Sequence, residues 1–376
     1  MEQVYLDNAS TTSVLPEVIE TITTVLTQTY GNPSSTHATG RAGKVQVETA
    51  RKAIAKHFNA QASEIVFTSC GTEGDNWILK AAVQDLGVTQ IITTKIEHHA
   101  VLHTIEILQL KNQDLKIQYL SLDSEGHINI KELRNILDSN PQKTLVSLMH
   151  VNNEIGTVLN LKEVGAVCKE FNAYFHTDTV QSVGKEIIDV QENNIDFLVA
   201  SSHKFHGPKG IGFVYIKKNT ILQPLIYGGE QEKGSRAGTE AVHQIVGMAK
   251  ALDIAYRHLE MYKNQIQELK NYAILKFQEA FPGVKFNGGI HSFYNILNVN
   301  LPLSKDKTSM ILFYLDMQGI AVSRGSACQS GSLKPSHVLA EILSQDELLQ
   351  PSLRLSFSHF NTKQDIDKLI DALLKM

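Results

Sequence analysis

The 376-residue chain is 42% hydrophobic and carries 35 Lys plus Arg against 39 Asp plus Glu, a formal net charge of -4. That length and apolar fraction are enough for a large core divided over two domains, and the absence of any long run of one charge sign argues against a nucleic-acid surface. The opening MEQVYLDNAS lacks a basic stretch followed by an apolar one and no segment has the length of a membrane-spanning helix, so neither export nor membrane insertion is expected and a cytoplasmic location is the default.

In chain order, short β-rich runs at residues 64–68, 90–95, 115–122, 144–151, 173–177, 197–200 and 212–216 alternate with helical patterns, which predicts an α/β fold with a largely parallel sheet. Residues 237–280 hold no Pro and little Gly, with apolar residues every three or four positions. They read as one long helix, or two joined helices, leading to a second domain. Strands are expected at 295–301 and 352–357 and helices at 307–318 and 362–376. In the last of these Ile366, Leu369, Ile370 and Leu373 form an apolar stripe behind a Thr362/Asp365 cap.

Open parallel sheets gather functional groups at the carboxyl ends of their strands, so the polar residues that follow each apolar run are the candidates. After Ile65-Val66-Phe67 comes Thr68-Ser69-Cys70-Gly71-Thr72-Glu73 at a helix start, which reads either as a plain N-cap or as a phosphate cradle. Two further strands end in His150-Val151-Asn152-Asn153-Glu154 and His176-Thr177-Asp178-Thr179. A carboxylate at a buried strand end is costly without a positive partner. The strand at 197–200 runs into "SSHKFHGPKG", where Lys204 is open to three readings: a phosphate contact, an ion pair with Asp178, or a lysine that bonds a cofactor aldehyde. A helix-start turn, an Asp and a Lys together are the three anchors that pyridoxal phosphate needs.

These residues bring the chain to a known family: it resembles the NifS/IscS-type cysteine desulfurases, pyridoxal-phosphate enzymes of the class V aminotransferase group. The likeness runs nearly end to end, through Tyr5 to Thr12 (YLDNASTT), Gly31 to Ser35 (GNPSS), Glu97 to Val101 (EHHAV), Met149 to Gly156 (MHVNNEIG) and Gln181 to Lys185 (QSVGK). It continues in Ser202 to Gly212 (SHKFHGPKGIG), Arg236 to Thr239 (RAGT), Ser323 to Cys328 (SRGSAC) and Ser352 to Ser358 (SLRLSFS). The resemblance implies a type I aminotransferase fold: a mostly parallel seven-stranded sheet flanked by helices, in a large cofactor-binding domain over 12–255. A smaller α+β domain, made of 1–11 and 256–376, then carries a catalytic loop at about 322–334.

Carried over residue by residue, the resemblance implies that Lys204 binds the cofactor aldehyde and that Gly71, Thr72, Ser201 and His203 hold its phosphate, with Ser202 between them. Asp178 matches the carboxylate on the ring nitrogen and Gln181 the partner of the ring hydroxyl. His98 matches the imidazole stacked on the ring, a proton carrier by its ordinary pKa. Thr239 matches a phosphate ligand reaching across from a second subunit, so a homodimer with composite sites is implied. Arg354 matches the grip on the substrate carboxylate, helped by Asn32 and Asn153, the latter also beside the cofactor.

Cys328 decides the substrate class. A lone cysteine is usually buried and inert, but Gly325, Ser326, Gln329, Ser330, Gly331 and Ser332 around it are small or polar, as in a solvated loop. By contrast Val164, Val167, Cys168 and Phe171 share one helical face and read as core, and Cys70 is given no role. The implied reaction converts L-cysteine to L-alanine, with the sulfur carried as a Cys328 persulfide to an acceptor such as an iron-sulfur scaffold. Three stretches depart from the family pattern: Arg324 beside the cysteine, Glu230 within GGEQEK, and SCGTEG at the helix start. A transaminase or lyase of the same fold, a non-catalytic scaffold, and a metal site on His99 and His103 are the competing readings. A dinucleotide site is disfavoured because GxGxxG is missing from the first strand and turn.

Overall fold

The computed structural model of the chain describes residues 3–139, 142–324 and 336–376. Cys328 and most of the expected catalytic loop lie outside the described residues. After a short first strand, β1 (Val4–Tyr5), seven strands build the main sheet: β2 (Ile65–Thr68), β3 (Gln90–Thr93), β4 (Lys116–Tyr119), β5 (Thr144–Ser147), β6 (Tyr174–Asp178), β7 (Phe197–Ser201) and β8 (Gly212–Ile216). Their order is β2-β8-β7-β6-β5-β3-β4, parallel throughout except for β8, which runs antiparallel to both neighbours.

The runs IVFT, QIIT, TLVS and FLVAS are buried along their whole length because helices cover both faces of the sheet. Only β4, at the edge, alternates exposed and half-buried positions. One apolar cluster fills the side under the helices Pro16–Gln28, Ala38–His57 and Val242–Arg257, and another fills the side under Gly71–Gln84 and His99–Lys111. Gly74 sets how closely the helix Gly71–Gln84 lies on the sheet. A Cβ there would come within 2.8 Å of Val199 and 2.9 Å of Val214.

The remaining strands are β9 (Lys285–Asn287), β10 (Ile296–Asn300), β11 (Ile320–Ala321) and β12 (Ser352–Ser356). β10 lies between β9 and β12 in an antiparallel sheet, while β1 pairs with β11, and Asp7 bridges to Ser356. Helices Leu259–Ala280 and Lys363–Leu374 cover this sheet. The expected capping box of Thr362 and Asp365 is present, and Ile366, Leu369, Ile370 and Leu373 are buried behind it. Each such side chain contributes roughly 1.5–3 kcal/mol.

Several expected elements differ in extent; the runs at 90–95 and 115–122, for example, are strands only over Gln90–Thr93 and Lys116–Tyr119. Residues 237–280 form two helices, broken at His258 between Arg257 and Leu259. The region 307–318 divides into a 3-10 turn, Lys305–Ser309, and a helix, Ile311–Met317. The strand expected to reach 151 ends at Ser147: Leu148 and His150 N–H still donate to the His176 and Asp178 carbonyls of β6, but Met149 N–H turns to the Glu97 carboxylate. The chain beyond it brings Asn153 to the wall of the site, while Asn152 and Glu154 are buried.

Candidate active site

At the carboxyl end of β7 the chain passes into a 3-10 turn, Ser202–Lys204, and doubles back through His206, whose φ is +65°, to Gly207-Pro208. Gly207 N–H donates to the Ser202 carbonyl at 3.1 Å. A Cβ at Gly207 would lie 2.0 Å from Ser202 Oγ and 3.1 Å from the Ser202 carbonyl, so a larger residue would force the buried Ser202 side chain to move. Gly207→Ala is expected to lower unfolding stability by about 1–3 kcal/mol, the usual cost of forced overpacking, as read from urea denaturation.

The amino-terminal motif straps this turn from above. Thr12 N–H and Oγ1 donate to the His203 carbonyl, and Thr11 Oγ1 lies 3.1 Å from His203 Nδ1. Lys204 Nζ donates to the carbonyls of Ala9 (2.7 Å) and Ser10 (2.9 Å). Gln181 Nε2 donates to the same Ala9 carbonyl at 2.9 Å. The lysine and the glutamine are therefore fixed on one backbone atom, from two different strand ends.

Gly71, Thr72, His98, Asn153, Asp178, Gln181, Ser201, His203, Lys204 and Arg354 line one cavity of about 230 Å3. Ser202 lies just behind it, fully buried. Thr239 and Asn32 are exposed and outside its lining. Arg354, on β12 and 1% exposed, donates from Nη1 to the Asn153 carbonyl (2.9 Å) and from Nη2 to Asp7 Oδ1 (2.7 Å) and Ser10 Oγ (2.6 Å). Of the three departing stretches, Glu230 is exposed, whereas its neighbour Glu232 is buried in a bidentate pair with Arg51. Arg324 is half-buried, and its Nε has no partner among the described residues.

The site's electrostatics are governed by burial. Asp178 accepts Val180 N–H at 2.9 Å, and burial pushes its carboxyl up to about 6 against that bond and the nearby Lys204. Two acids with no role assigned to them so far lie close by. Asp75, on the cavity wall and 1% exposed, is raised well above the carboxylate range by burial first and then by Asp178, Glu97 and Cys70. Glu97 is pushed up to about 8, chiefly by burial. His98 caps the helix His99–Lys111 by accepting Ala100 N–H at its Nδ1, and burial, then Lys204, lower it to about 4. It is therefore neutral at physiological pH, not half-charged as its ordinary pKa would make it.

Asp75 Oδ1 is 3.4 Å from His176 Nε2, and His176 Nδ1 is 2.9 Å from Ser147 Oγ, a buried chain leading inward from the cavity. Asp75 sits four residues into the helix that starts at Gly71. No sequence signal marks it, since the polar Asn76 separates Asp75 from the apolar run Trp77-Ile78-Leu79.

Cys168 is core, 1% exposed with its thiol pKa driven up by burial, whereas Cys70 is half-buried on the cavity wall. His99 stacks on His103 at 4.8 Å between ring centroids, and His337 lies 4.4 Å from His99. Among the described residues no group of three His, Cys, Asp or Glu side chains is disposed to hold a metal ion. No helix among them is long and apolar enough to cross a membrane.

Ser201 Oγ, Ser202 Oγ and Gln181 Oε1 are buried, with no partner among the described residues. Buried polar atoms without partners call for a ligand that supplies them. Hydroxyls, an imidazole and free N–H groups at the helix start suit a phosphate; Asp178 suits a ring nitrogen, Gln181 a ring hydroxyl and Lys204 an aldehyde. The donor set thus fits pyridoxal phosphate.

Known proteins agree with this fit. The chain matches the family Aminotransferase class-V over residues 4–369. It is 43% identical to the cysteine desulfurase IscS of Clostridium botulinum (strain Kyoto / Type A2), over 100% of this chain and 94% of that protein. A solved NifS-like protein superposes with a TM-score of 0.90 at 34% identity, covering 100% of this chain and 99% of that one. A NifS-like protein from Rickettsia africae gives a TM-score of 0.88 at 30% identity, with coverage of 100% and 99%. With the sheet order, the cavity and the full-length likeness in agreement, the chain belongs to the class-V aminotransferases, among the pyridoxal-phosphate enzymes of NifS/IscS cysteine desulfurase type.

Proposed function

We propose that this chain converts L-cysteine to L-alanine and passes the sulfur, through a persulfide on Cys328, to an acceptor protein. The observation that carries this reading is the convergence of Lys204, Asp178, His98 and Arg354 on one cavity. Pyridoxal phosphate, when bound there, supplies an electron sink for the carbanion at the substrate Cα. Ser201, His203 and the Gly71-Thr72 turn would hold its phosphate end, and Asp178 would keep a proton on its ring nitrogen. Lys204 would act as the positioned amine base for the Cα proton. His98, neutral, would offer its imidazole face to the ring.

Arg354 binds the substrate carboxylate through its guanidinium, whose Nε is buried with no partner among the described residues. Asn153, whose carbonyl accepts from Arg354 Nη1, assists it. With the carboxylate fixed, the substrate sulfur is presented to the Cys328 thiolate. That thiolate forms a bond to the sulfur as the carbon–sulfur bond breaks; the bonding electrons remain on carbon, and protonation there leads to alanine.

The exposed position of Thr239, together with exposed Ile226 and Tyr227 in the same stretch, supports a homodimer in which Thr239 reaches the phosphate of the partner subunit's site. We assign the cofactor domain to 12–255 and the smaller domain to 1–11 and 256–376, which the separate apolar cluster around β10 and β12 supports. An iron-sulfur scaffold as acceptor and a cytoplasmic location complete the reading.

The test is mass spectrometry after brief anaerobic exposure to L-cysteine and alkylation. The Cys328 peptide is expected to gain one sulfur atom while alanine is released. Alanine release without that gain, or no reaction in protein that carries the cofactor's near-visible absorption, would refute Cys328 as the sulfur carrier. Full turnover of another amino acid in the same protein would then favour a transaminase of this fold.

A further inference from the structure

Both ends of the segment that carries Cys328 are tied to the group around Arg354. On the amino-terminal side, Ser323 exchanges backbone hydrogen bonds with Arg354, and its Oγ donates to Asp7 Oδ1 at 2.9 Å, the atom that also accepts from Arg354 Nη2. On the carboxyl-terminal side, Ser336 Oγ donates to Glu154 Oε2 at 2.5 Å. The same hydroxyl accepts Val338 N–H and Leu339 N–H at the start of the helix His337–Ile342. Glu154 directly follows Asn153, whose carbonyl accepts from Arg354 Nη1.

Glu154 is held on every side. Its N–H and that of Ile155 donate to Asn152 Oδ1 at 2.9 and 3.0 Å, and its carbonyl accepts Asn298 Nδ2 at 3.0 Å. Its side chain is 0% exposed, and Oε1 has no partner among the described residues. Burying a carboxylate to meet one hydroxyl is costly, so packing alone is a poor account of a glutamate here. The hydrogen bond from Ser336 gives that cost a geometric return, because it fixes the point at which the chain re-enters the core after Cys328.

We propose that Glu154 is a positioning residue for sulfur transfer, which holds through Ser336 the carboxyl-terminal root of the Cys328 segment in register with the Arg354 site. The proposal rests on the desulfurase reading above and adds to it a residue that acts after substrate has bound. Glu154 touches neither substrate nor cofactor; its effect passes through Ser336.

The test separates binding from transfer in the holoenzyme. L-cysteine binding is read from the change in cofactor absorption, and transfer from the rate at which the Cys328 peptide gains sulfur under rapid quenching. Glu154→Gln and Ser336→Ala are each expected to bind L-cysteine within about twofold of wild type. The transfer rate is expected to fall about tenfold in both, since small misplacements of reacting groups are costly. The double variant should fall no further than Ser336→Ala alone, because Glu154→Gln weakens only a link that Ser336→Ala has already removed. Ser336→Thr, which keeps the hydroxyl, should recover the rate.

Wild-type transfer in both single variants, binding and transfer falling together, or additive losses would each overturn the proposal. Ser336 is half-buried, so Ser336→Ala and Ser336→Thr decide the matter if Glu154→Gln fails to fold. Failure of the wild-type protein itself to form the persulfide would be a different result: it removes the desulfurase reading, and this inference with it.

Discussion

Lys204→Ala is expected to lower alanine release by at least about a thousandfold and to abolish the near-visible absorption of the loaded protein, with the fold intact. The argument is positional. Among the described residues Lys204 is the only lysine that lines the cavity, and its Nζ is held 2.7 and 2.9 Å from the Ala9 and Ser10 carbonyls. A second amine is nearby: burial, then the charge of Lys204, push Lys185 down to about 7. Its Nζ donates at 2.9 Å to the Gln181 backbone carbonyl, and Lys185 is not among the cavity's lining residues. The two lysines therefore make opposite predictions. Absorption that persists in Lys204→Ala and disappears in Lys185→Met would move the covalent anchor to Lys185. Loss in Lys204→Ala alone assigns it to Lys204. An absorption spectrum and an alanine assay on each variant decide the matter.

Most of the cavity was legible in the sequence for a simple reason. In an open parallel sheet the strand ends are the only places where polar side chains meet without crossing the core, so a polar residue after an apolar run is a candidate by position alone. Asp178, Ser201, Lys204 and the Gly71-Thr72 turn follow that rule, and each lines the cavity. Asp75 and Glu97 do not. Asp75 lies inside a helix whose polarity pattern gives no reason to expect burial; only the tight approach of Gly74 to Val199 and Val214 carries it to the wall. Glu97 was legible as part of a motif, yet its charge state was not, because its pKa follows from the loss of solvent around it.

His98 shows the same limit from the other direction. Residue type alone gave it a pKa near neutrality, and burial beside Lys204 removed it. The two exposed members of the predicted set, Thr239 and Asn32, illustrate a further point. Both were assigned from the resemblance alone, and neither lines the cavity of this chain.

Asp178→Asn is expected to have two effects of opposite sign, and their combination distinguishes a functional carboxylate from a structural one. Turnover should fall at least about a hundredfold, since a neutral amide cannot hold a proton on the ring nitrogen by charge, and loss of one preorganised polar group in a water-poor site carries a penalty of that order. Asn retains an oxygen to accept Val180 N–H, so the local backbone stays supported. Stability of the cofactor-free protein should move the other way. The folded-state pKa of Asp178, about 6, lies above the ordinary value of 3.8, chiefly because burial disfavours the anion. A group raised in this way contributes stability that is fully present below its unfolded pKa and is lost as pH rises through 6. Asp178→Asn removes that loss, so its urea midpoint should exceed wild type at about pH 8 and match it near pH 4. Wild type that is more stable than Asp178→Asn at pH 8 would mean that Lys204 repays the burial of the charge in full, which makes the carboxylate a structural ion pair first. A more stable, inactive variant would mark Asp178 as a buried charge kept at the expense of folding for the sake of the ring nitrogen.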